Sequence, residues 1–263
     1  MLKLIVTLKQ APKSNMVSMQ EGTNIVVRNP EDAMLTFDDC NALELAMTLK
    51  DAMGDDVHIT TLSFGNDKTE EILRESLALG VDRAILVNDG QMRGSDTLAT
   101  ARALAAAVRK IGDFDAVLTG HASMDGRTGF VGPMLAEELH LPYLTNVCEF
   151  EKHGRGLTVK RDLGSVIETV DSGCPAVLSN LKKKYSLRVM SIAGIRAAMK
   201  MEIERWDLED IGLDPAKVGL SAAGVVIDKI RPSKKERLQI QMFFDQYKDG
   251  DFDDILREIQ RIK

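Results

Sequence analysis

The sequence predicts a doubly wound α/β fold built on a mostly parallel, Rossmann-like sheet. The first observation is a set of five short runs, KLIVTL (3–8), VHITTL (57–62), AILVN (84–88), AVLTG (116–120) and AVLSN (176–180), each continuously apolar or β-branched. Strands of that kind belong in a sheet covered on both faces. The second is their alternation with four segments of helical pattern, 39–53, 67–79, 95–110 and 128–139, the arrangement expected of crossover connections between parallel strands. The third is size: 263 residues, 44% of them apolar, are enough for one sizeable core.

Taken in order, MLKLIVTLKQ has too short an apolar run and no small-residue cleavage site, so it reads as a first strand and not as a secretory signal. In the third helix Ser95 and Asp96 are N-cap types, and ALAAAV has strong helix propensity. Residues 149–172 break the rhythm with an HGRG turn and an alternating TVKRDLGSVIETV stretch, which predicts a small inserted hairpin. After the last buried strand comes a basic segment, LKKKYSLRVMSIAG, and a predicted helix over 195–206. Beyond it, residues 221–232 read as extended and 233–247 as helical. Ile255, Ile259 and Ile262 fall on one face of a short terminal helix. The organisation expected is a nucleotide-binding α/β domain over 1–218, followed by a partner-binding extension over 219–263.

A formal charge of −6, from 34 basic and 40 acidic residues, argues against general duplex binding. No stretch free of Asp, Glu, Lys and Arg exceeds 10 residues, about half of what a membrane-spanning helix requires, and cytoplasmic residence is the expectation. Cys40, Cys148 and Cys174 form no CxxC pair, and the four histidines have no HxxxH or HExxH spacing, so neither a disulfide frame nor a metal site is expected.

In an open parallel sheet, ligands bind beyond the carboxyl ends of the strands. The richest loop there is GHASMDGRTGFVGP, residues 120–133, with four glycines leading into a helix. Backbone amides at a glycine-rich helix entry suit a phosphate, and Arg127 and Thr128 could add a guanidinium and a hydroxyl; an exposed βα loop with its cap fits the same composition. Ser95, Asp96, Thr97 and Thr100 surround a second helix start, where simple capping explains the first two. TLSFG, residues 61–65, could offer backbone to an adenine ring. Walker, GxGxxG and nucleophile-elbow motifs are missing, which points to chemistry carried by a bound cofactor. The basic segment around Lys182, Lys183, Lys184, Arg188, Arg196 and Lys200 suits an acidic partner surface and equally a solvated loop.

From near its first residue to its last the chain resembles the β subunit of electron transfer flavoproteins. The resemblance is carried in collinear order by VTLKQAP, D-x-x-A-L-E at 39–44, LALG-VDRAILV, GSDTLAT, DGxTxxVGP at 125–133, LAEELHLPYLT, VKRD, CPAVLS and LR-x-x-SI-x-G at 187–194. It implies an adenine nucleotide α-hydrolase-like sheet, a heterodimer with an α subunit carrying the electron-transferring FAD, and a nucleotide held by this chain. Simple carriers in that family bind AMP, whereas bifurcating members bind a second FAD and show DTxxT with DGxTxxVGP. Asp96, Thr97 and Thr100 match the first pattern, and Asp125, Gly126, Thr128, Val131, Gly132 and Pro133 the second.

The resemblance thus implies FAD held by Thr7, Thr36, Asp39, Phe64, Asp96, Thr97, Thr100, Gly120, His121, Ala122, Asp125, Gly126, Arg127, Thr128, Phe130 and Val131, with no catalytic side chain of the protein's own. It implies NADH as electron donor, and ferredoxin or flavodoxin with an acyl-CoA dehydrogenase-type partner as acceptors. The dehydrogenase would dock on a recognition loop over about 182–196 through Arg188, Ser191 and Ile192. The sequence departs from the family pattern at Thr36 and Phe37 (usually Asn-Pro), Ala122 (Gln), Arg127 (Asp), Phe130 (Gln), and in KKYSLR where Asn-x-Pro-Arg-Tyr is usual. The alternatives are a one-flavin carrier subunit holding AMP, and a free-standing adenine-nucleotide enzyme or sensor, against which stands the absence of a Ser-Gly-Gly-x-Asp-Ser loop after the first strand.

Overall fold

The structure is a computed structural model describing residues 1–12, 18–19, 26–27, 33–180 and 184–225, all within the unit Met1–Asp228. Its strands are β1 (Leu2–Leu8), β2 (Gln10–Pro12), β3 (Ser18–Met19), β4 (Val26–Val27), β5 (Ala33–Leu35), β6 (Val57–Phe64), β7 (Arg83–Val87), β8 (Ala116–Thr119), β9 (Tyr143–His153), β10 (Gly156–Asp162), β11 (Ile167–Gly173), β12 (Ala176–Asn180) and β13 (Glu204–Trp206). The helices are α1 (Phe37–Met53), α2 (Glu70–Ala78), α3 (Thr97–Ile111), α4 (Val131–Leu139) and α5 (Ile192–Ala198). The expected helix over 233–247 and the isoleucine face at 255–262 lie outside the described residues, as do most of 221–232 and the start of the recognition loop.

Among the described residues nine strands form one sheet in the order β11-β10-β9-β12-β8-β1-β6-β7-β13. Every pair from β9 to β13 is parallel, and β10 and β11 run antiparallel at one end. The sheet is doubly wound, as the sequence predicts. Strand β1 shows why its residues are apolar in succession: Leu2, Leu4, Val6 and Leu8 join the core with Leu43 and Met47 of α1 and Leu73 of α2. Ile5 points the other way, into the core made with Leu104 of α3 and Leu135 of α4. The run of alanines in α3, buried from Ala103 to Ala107, presents small side chains to that second core.

Several element boundaries differ from the sequence expectation, and the structure gives a reason for the larger differences. Helix α3 starts at Thr97 because the Asp96 side chain accepts the Ala99 N–H as N-cap, leaving Ser95 outside. Helix α4 starts at Val131, since Arg127 at φ 52° and Gly129 at φ 68° cannot belong to a right-handed helix. The segment from 67 opens with a 3-10 turn, Asp67–Thr69, before α2. The helix expected over 195–206 is a correction: α5 ends at Ala198, where Arg74 Nη1 donates to the carbonyls of Ala198 and Met201. Residues 204–206 instead add edge strand β13 to β7. Arg83 pairs with Glu204 at 2.6 and 2.8 Å, and Trp206 is buried beneath the Lys110 ammonium, 4.4 Å from the ring centroid. The expected hairpin over 149–172 is larger than foreseen. It forms the three antiparallel strands β9, β10 and β11, which extend the main sheet.

Candidate functional site at the strand ends

The chain leaves β1 for β6 and β7 on one side, then crosses to β8 and β12 on the other, so the direction of winding reverses between β1 and β8. A parallel sheet splits open at such a point and leaves a crevice beyond the strand ends. Its walls are the residues after Leu8 and after Thr119. Between them sits the buried carboxylate of Asp39, from the first turn of α1. Its Oδ2 accepts the Lys9 N–H at 2.8 Å and its Oδ1 the Gly120 N–H at 3.2 Å. The N-cap Thr36 Oγ1 holds the turn by accepting the Asp39 N–H at 3.3 Å. Burial outweighs these hydrogen bonds and pushes the Asp39 carboxyl up to about 6. Gly120 is required here, because a Cβ would overlap Asp39 Oδ1 and lie 2.9 Å from backbone atoms of Asp38 and Asp39.

The next carboxylate along α1, Asp38, accepts the Ala122 N–H at 3.0 Å. The glycine-rich loop then closes on itself. Gly126 N–H donates to Asp125 Oδ1 at 2.7 Å and to Ser123 Oγ at 3.3 Å, Asp125 reaches Lys9 Nζ at 3.5 Å, and Phe130 N–H meets Thr128 Oγ1 at 3.4 Å. Gly132, at the start of α4, lies under Tyr143 and Thr119, whose side chains a Cβ would crowd at 2.8 and 3.1 Å. The buried Thr119 Oγ1 has no hydrogen-bond partner among the described residues. His121 and Ala122 are half-buried, while Arg127, Thr128 and Phe130 are exposed at the mouth.

The remaining residues expected at a nucleotide fall along the same carboxyl edge. Thr7 is buried and its Oγ1 donates to Leu118 O at 3.4 Å; Phe64 ends β6, half-buried. Thr97 and Thr100 open α3 with half-buried hydroxyls that make no hydrogen bond among the described residues. Asp96 is different: its Oδ1 accepts Ala99 N–H, and its Oδ2 accepts Gly224 N–H at 2.8 Å and Val225 N–H at 3.1 Å. Two helix N-termini, backbone amides and the cations Lys9 and Arg127 make the edge suited to an anionic ligand. The carboxylates Asp38, Asp39 and Asp96 are already committed to amide donors. Sequence reasoning passed over Asp38, Lys9 and Thr119; the Asp-Asp pair in the first turn of a helix was the available signal for the first.

The recognition segment is tied down rather than free. Arg188 donates to both carboxylate oxygens of Glu44 at 2.8–3.1 Å and to Asp51 at 2.7 and 3.1 Å. These partners hold its guanidinium well above the usual range and Asp51 below it. Tyr185 N–H donates to Asn41 Oδ1 and its hydroxyl to Cys148 O. Ser191 caps α5 by accepting Gly194 N–H at 2.9 Å. The segment exposes the apolar Val189, Ile192, Ile195 and Met199, with Ile192 74% exposed, among the charged Lys184, Arg196 and Lys200.

Residues 23–211 match the model of the electron transfer flavoprotein domain. The chain is 34% identical over 222 residues to the caffeyl-CoA reductase-Etf complex subunit CarD of Acetobacterium woodii, covering 84% of each. It is 34% identical over 228 residues to the electron transfer flavoprotein subunit beta of Clostridium acetobutylicum, covering 87% of each. Against the protein FixA of Azorhizobium caulinodans it is 32% identical over 237 residues, 87% of this chain and 84% of the relative. The chain belongs to the electron transfer flavoprotein family, and is β-subunit-like along most of its length.

Proposed function

We propose that this chain is the β subunit of a heterodimeric electron transfer flavoprotein that holds FAD in the crevice between β1 and β8 and takes part in electron bifurcation. In this reading NADH is the donor, an acyl-CoA dehydrogenase-type enzyme takes the high-potential electron, and ferredoxin or flavodoxin takes the low-potential one. The observation that carries the FAD assignment is the pair of anion-binding stations on one edge. The 120–131 loop, whose Gly120, Ala122, Gly126 and Phe130 amides already serve α1 and the loop itself, presents the exposed Arg127 at its mouth, and the first turn of α3 provides the unengaged Thr97 and Thr100 hydroxyls. Two polar stations suit an elongated ligand with several polar groups, such as FAD, better than the compact AMP.

A bound flavin supplies two-electron acceptance and one-electron release. The protein's own residues position it. Asp39 keeps the two crevice walls at fixed separation, Gly120 lets the backbone come close, and Phe130 and Phe37, 57% and 60% exposed, offer aromatic faces beside the crevice. The exposed Ile192, set on a segment braced by Arg188, is the anchor proposed for the dehydrogenase. The name of the Acetobacterium relative, which includes a caffeyl-CoA reductase complex, supports a partner acting on a CoA thioester.

The test is to co-purify the chain with its α subunit, denature the complex and count released FAD and AMP. Two FAD and no AMP per heterodimer is the expected result, followed by reduction on adding NADH. One FAD with one AMP would establish the one-flavin alternative instead. A chain that isolates alone with adenine nucleotide and no α subunit would favour the free-standing enzyme.

A further inference from the structure

The described chain does not stop at the last strand. After Val218 it passes over the N-terminal end of α3 and is fastened there by backbone bonds to two consecutive side chains. Gly219 N–H donates to Ser95 Oγ at 2.9 Å; Gly224 and Val225 N–H donate to Asp96 Oδ2 at 2.8 and 3.1 Å. Gly219 has φ 73°, and a Cβ on it would overlap the Gln91 carbonyl, so only glycine brings the chain this close to the loop before α3. Leu220 crosses Gly94, where an added Cβ would come within 3.1 Å of it. Three separate contacts thus make a strap of residues 219–225, and the same carboxylate that caps α3 holds the strap's far end.

We propose that Asp96 is a latch for this strap, and not a ligand of the nucleotide, and that the latch sets the affinity for the α subunit by fixing residues 219–225, the strap from which the chain continues. Backbone amides engage both Asp96 oxygens and take three of the roughly four acceptor sites of a carboxylate, which leaves it little capacity for a ribose hydroxyl, and as an anion it has no donor for a phosphate. Those amides also offset a negative charge that would otherwise repel a phosphate at the α3 N-terminus. The strap therefore does two things with one carboxylate: it makes the helix end tolerable to an anion, and it holds residues 219–225 against the start of α3. The α-subunit part of the proposal rests on the heterodimer reading above. Asp96→Asn retains the cap on Ala99 but turns an amide nitrogen toward the Gly224 and Val225 amides. Gly219→Ala lifts the other end without touching Asp96.

The experiment measures amide hydrogen exchange at residues 219–225 and in α3 in the full chain, then α-subunit affinity and nucleotide content, for wild type and both variants. Expected are protected strap amides in the wild type and about tenfold or faster exchange at 224 and 225 in Asp96→Asn. Exchange within α3 should be unchanged, Gly219→Ala should show the same opening, and both variants should bind the α subunit at least fivefold more weakly. Unprotected strap amides in the wild type overturn the latch. So does an Asp96→Asn protein that loses nucleotide while its strap stays protected, for that is how a ligand behaves. An opened strap with unchanged α-subunit affinity overturns the coupling. If the wild-type chain pairs with no α subunit at all, the heterodimer reading fails, while the exchange data still decide the latch.

Discussion

Replacing Asp39 by Asn tests whether burial or hydrogen bonding governs the carboxylate between β1 and β8. The group is buried and raised from 3.8 to about 6 in spite of donors from Lys9 and Gly120. A carboxyl raised on folding binds its proton more tightly in the native state. Its contribution is therefore most favourable below about pH 4, declines as pH rises through 6, and is constant above. The shift of about 2 units corresponds to about 3 kcal/mol in all, of which about 2 kcal/mol falls between pH 4.5 and 8. Asparagine has no such dependence. It keeps one oxygen for one amide and turns its own N–H₂ against the other, a loss of about 1–3 kcal/mol at every pH. Wild type minus Asp39→Asn stability should thus fall by about 2 kcal/mol from pH 4.5 to pH 8, whatever the constant offset between the two proteins. Urea unfolding of both nucleotide-free proteins across that range, with matched m-values, measures it. A difference that stays flat or grows with pH would mean that the amide donors dominate, and would refute the reasoning.

Further outcomes follow from other parts of the structure. Gly120→Ala forces a Cβ into Asp39 Oδ1 and the α1 backbone, so it should cost about 1–3 kcal/mol in thermal unfolding and release nucleotide; an unchanged Tm with full nucleotide content would contradict the packing. Arg188→Ala strips Glu44, whose side chain is only 12% exposed, of its cation, and should destabilise by about 1–3 kcal/mol in denaturant, discounted for the half-exposed arginine. Ile192→Ala, at an exposed position, should stay within about 0.5 kcal/mol of wild type in the same assay while slowing electron delivery to the dehydrogenase partner. Burial pushes the Cys40 thiol up to about 12, so it should not react with iodoacetamide at pH 8 until the chain unfolds; mass spectrometry of labelled peptides reads this directly.

The parallel sheet was legible because its strands carry the pattern that two-sided burial demands, and all five predicted runs overlap strands β1, β6, β7, β8 and β12. The stop of α5 was not legible. IRAAMKMEIERW has helical composition throughout, and what ends the helix is Arg74, more than 120 residues earlier in sequence, seated on the carbonyls of Ala198 and Met201. The start of α4 was hidden for the opposite reason, since Arg127 adopts a left-handed φ that its residue type does not announce. At the crevice, glycine spacing located the loop, and Asp96 was visible as a cap. What stayed hidden is that Asp39, Asp38 and Asp96 each serve amides from segments distant in sequence, a relation that only the closed fold creates.

The Asp39 clamp also bears on the order in which the molecule comes together. One oxygen reaches an amide 30 positions earlier and the other an amide 81 positions later, so three remote stretches must meet before the crevice exists. No local hairpin or early helical fragment can supply it; closing loops of that length belongs to the late, cooperative stage of folding. A ligand that binds there recognises finished chains alone and by mass action withdraws them from the unfolding equilibrium. On the proposed function, a nucleotide held there would make loaded chains unfold less often than empty ones.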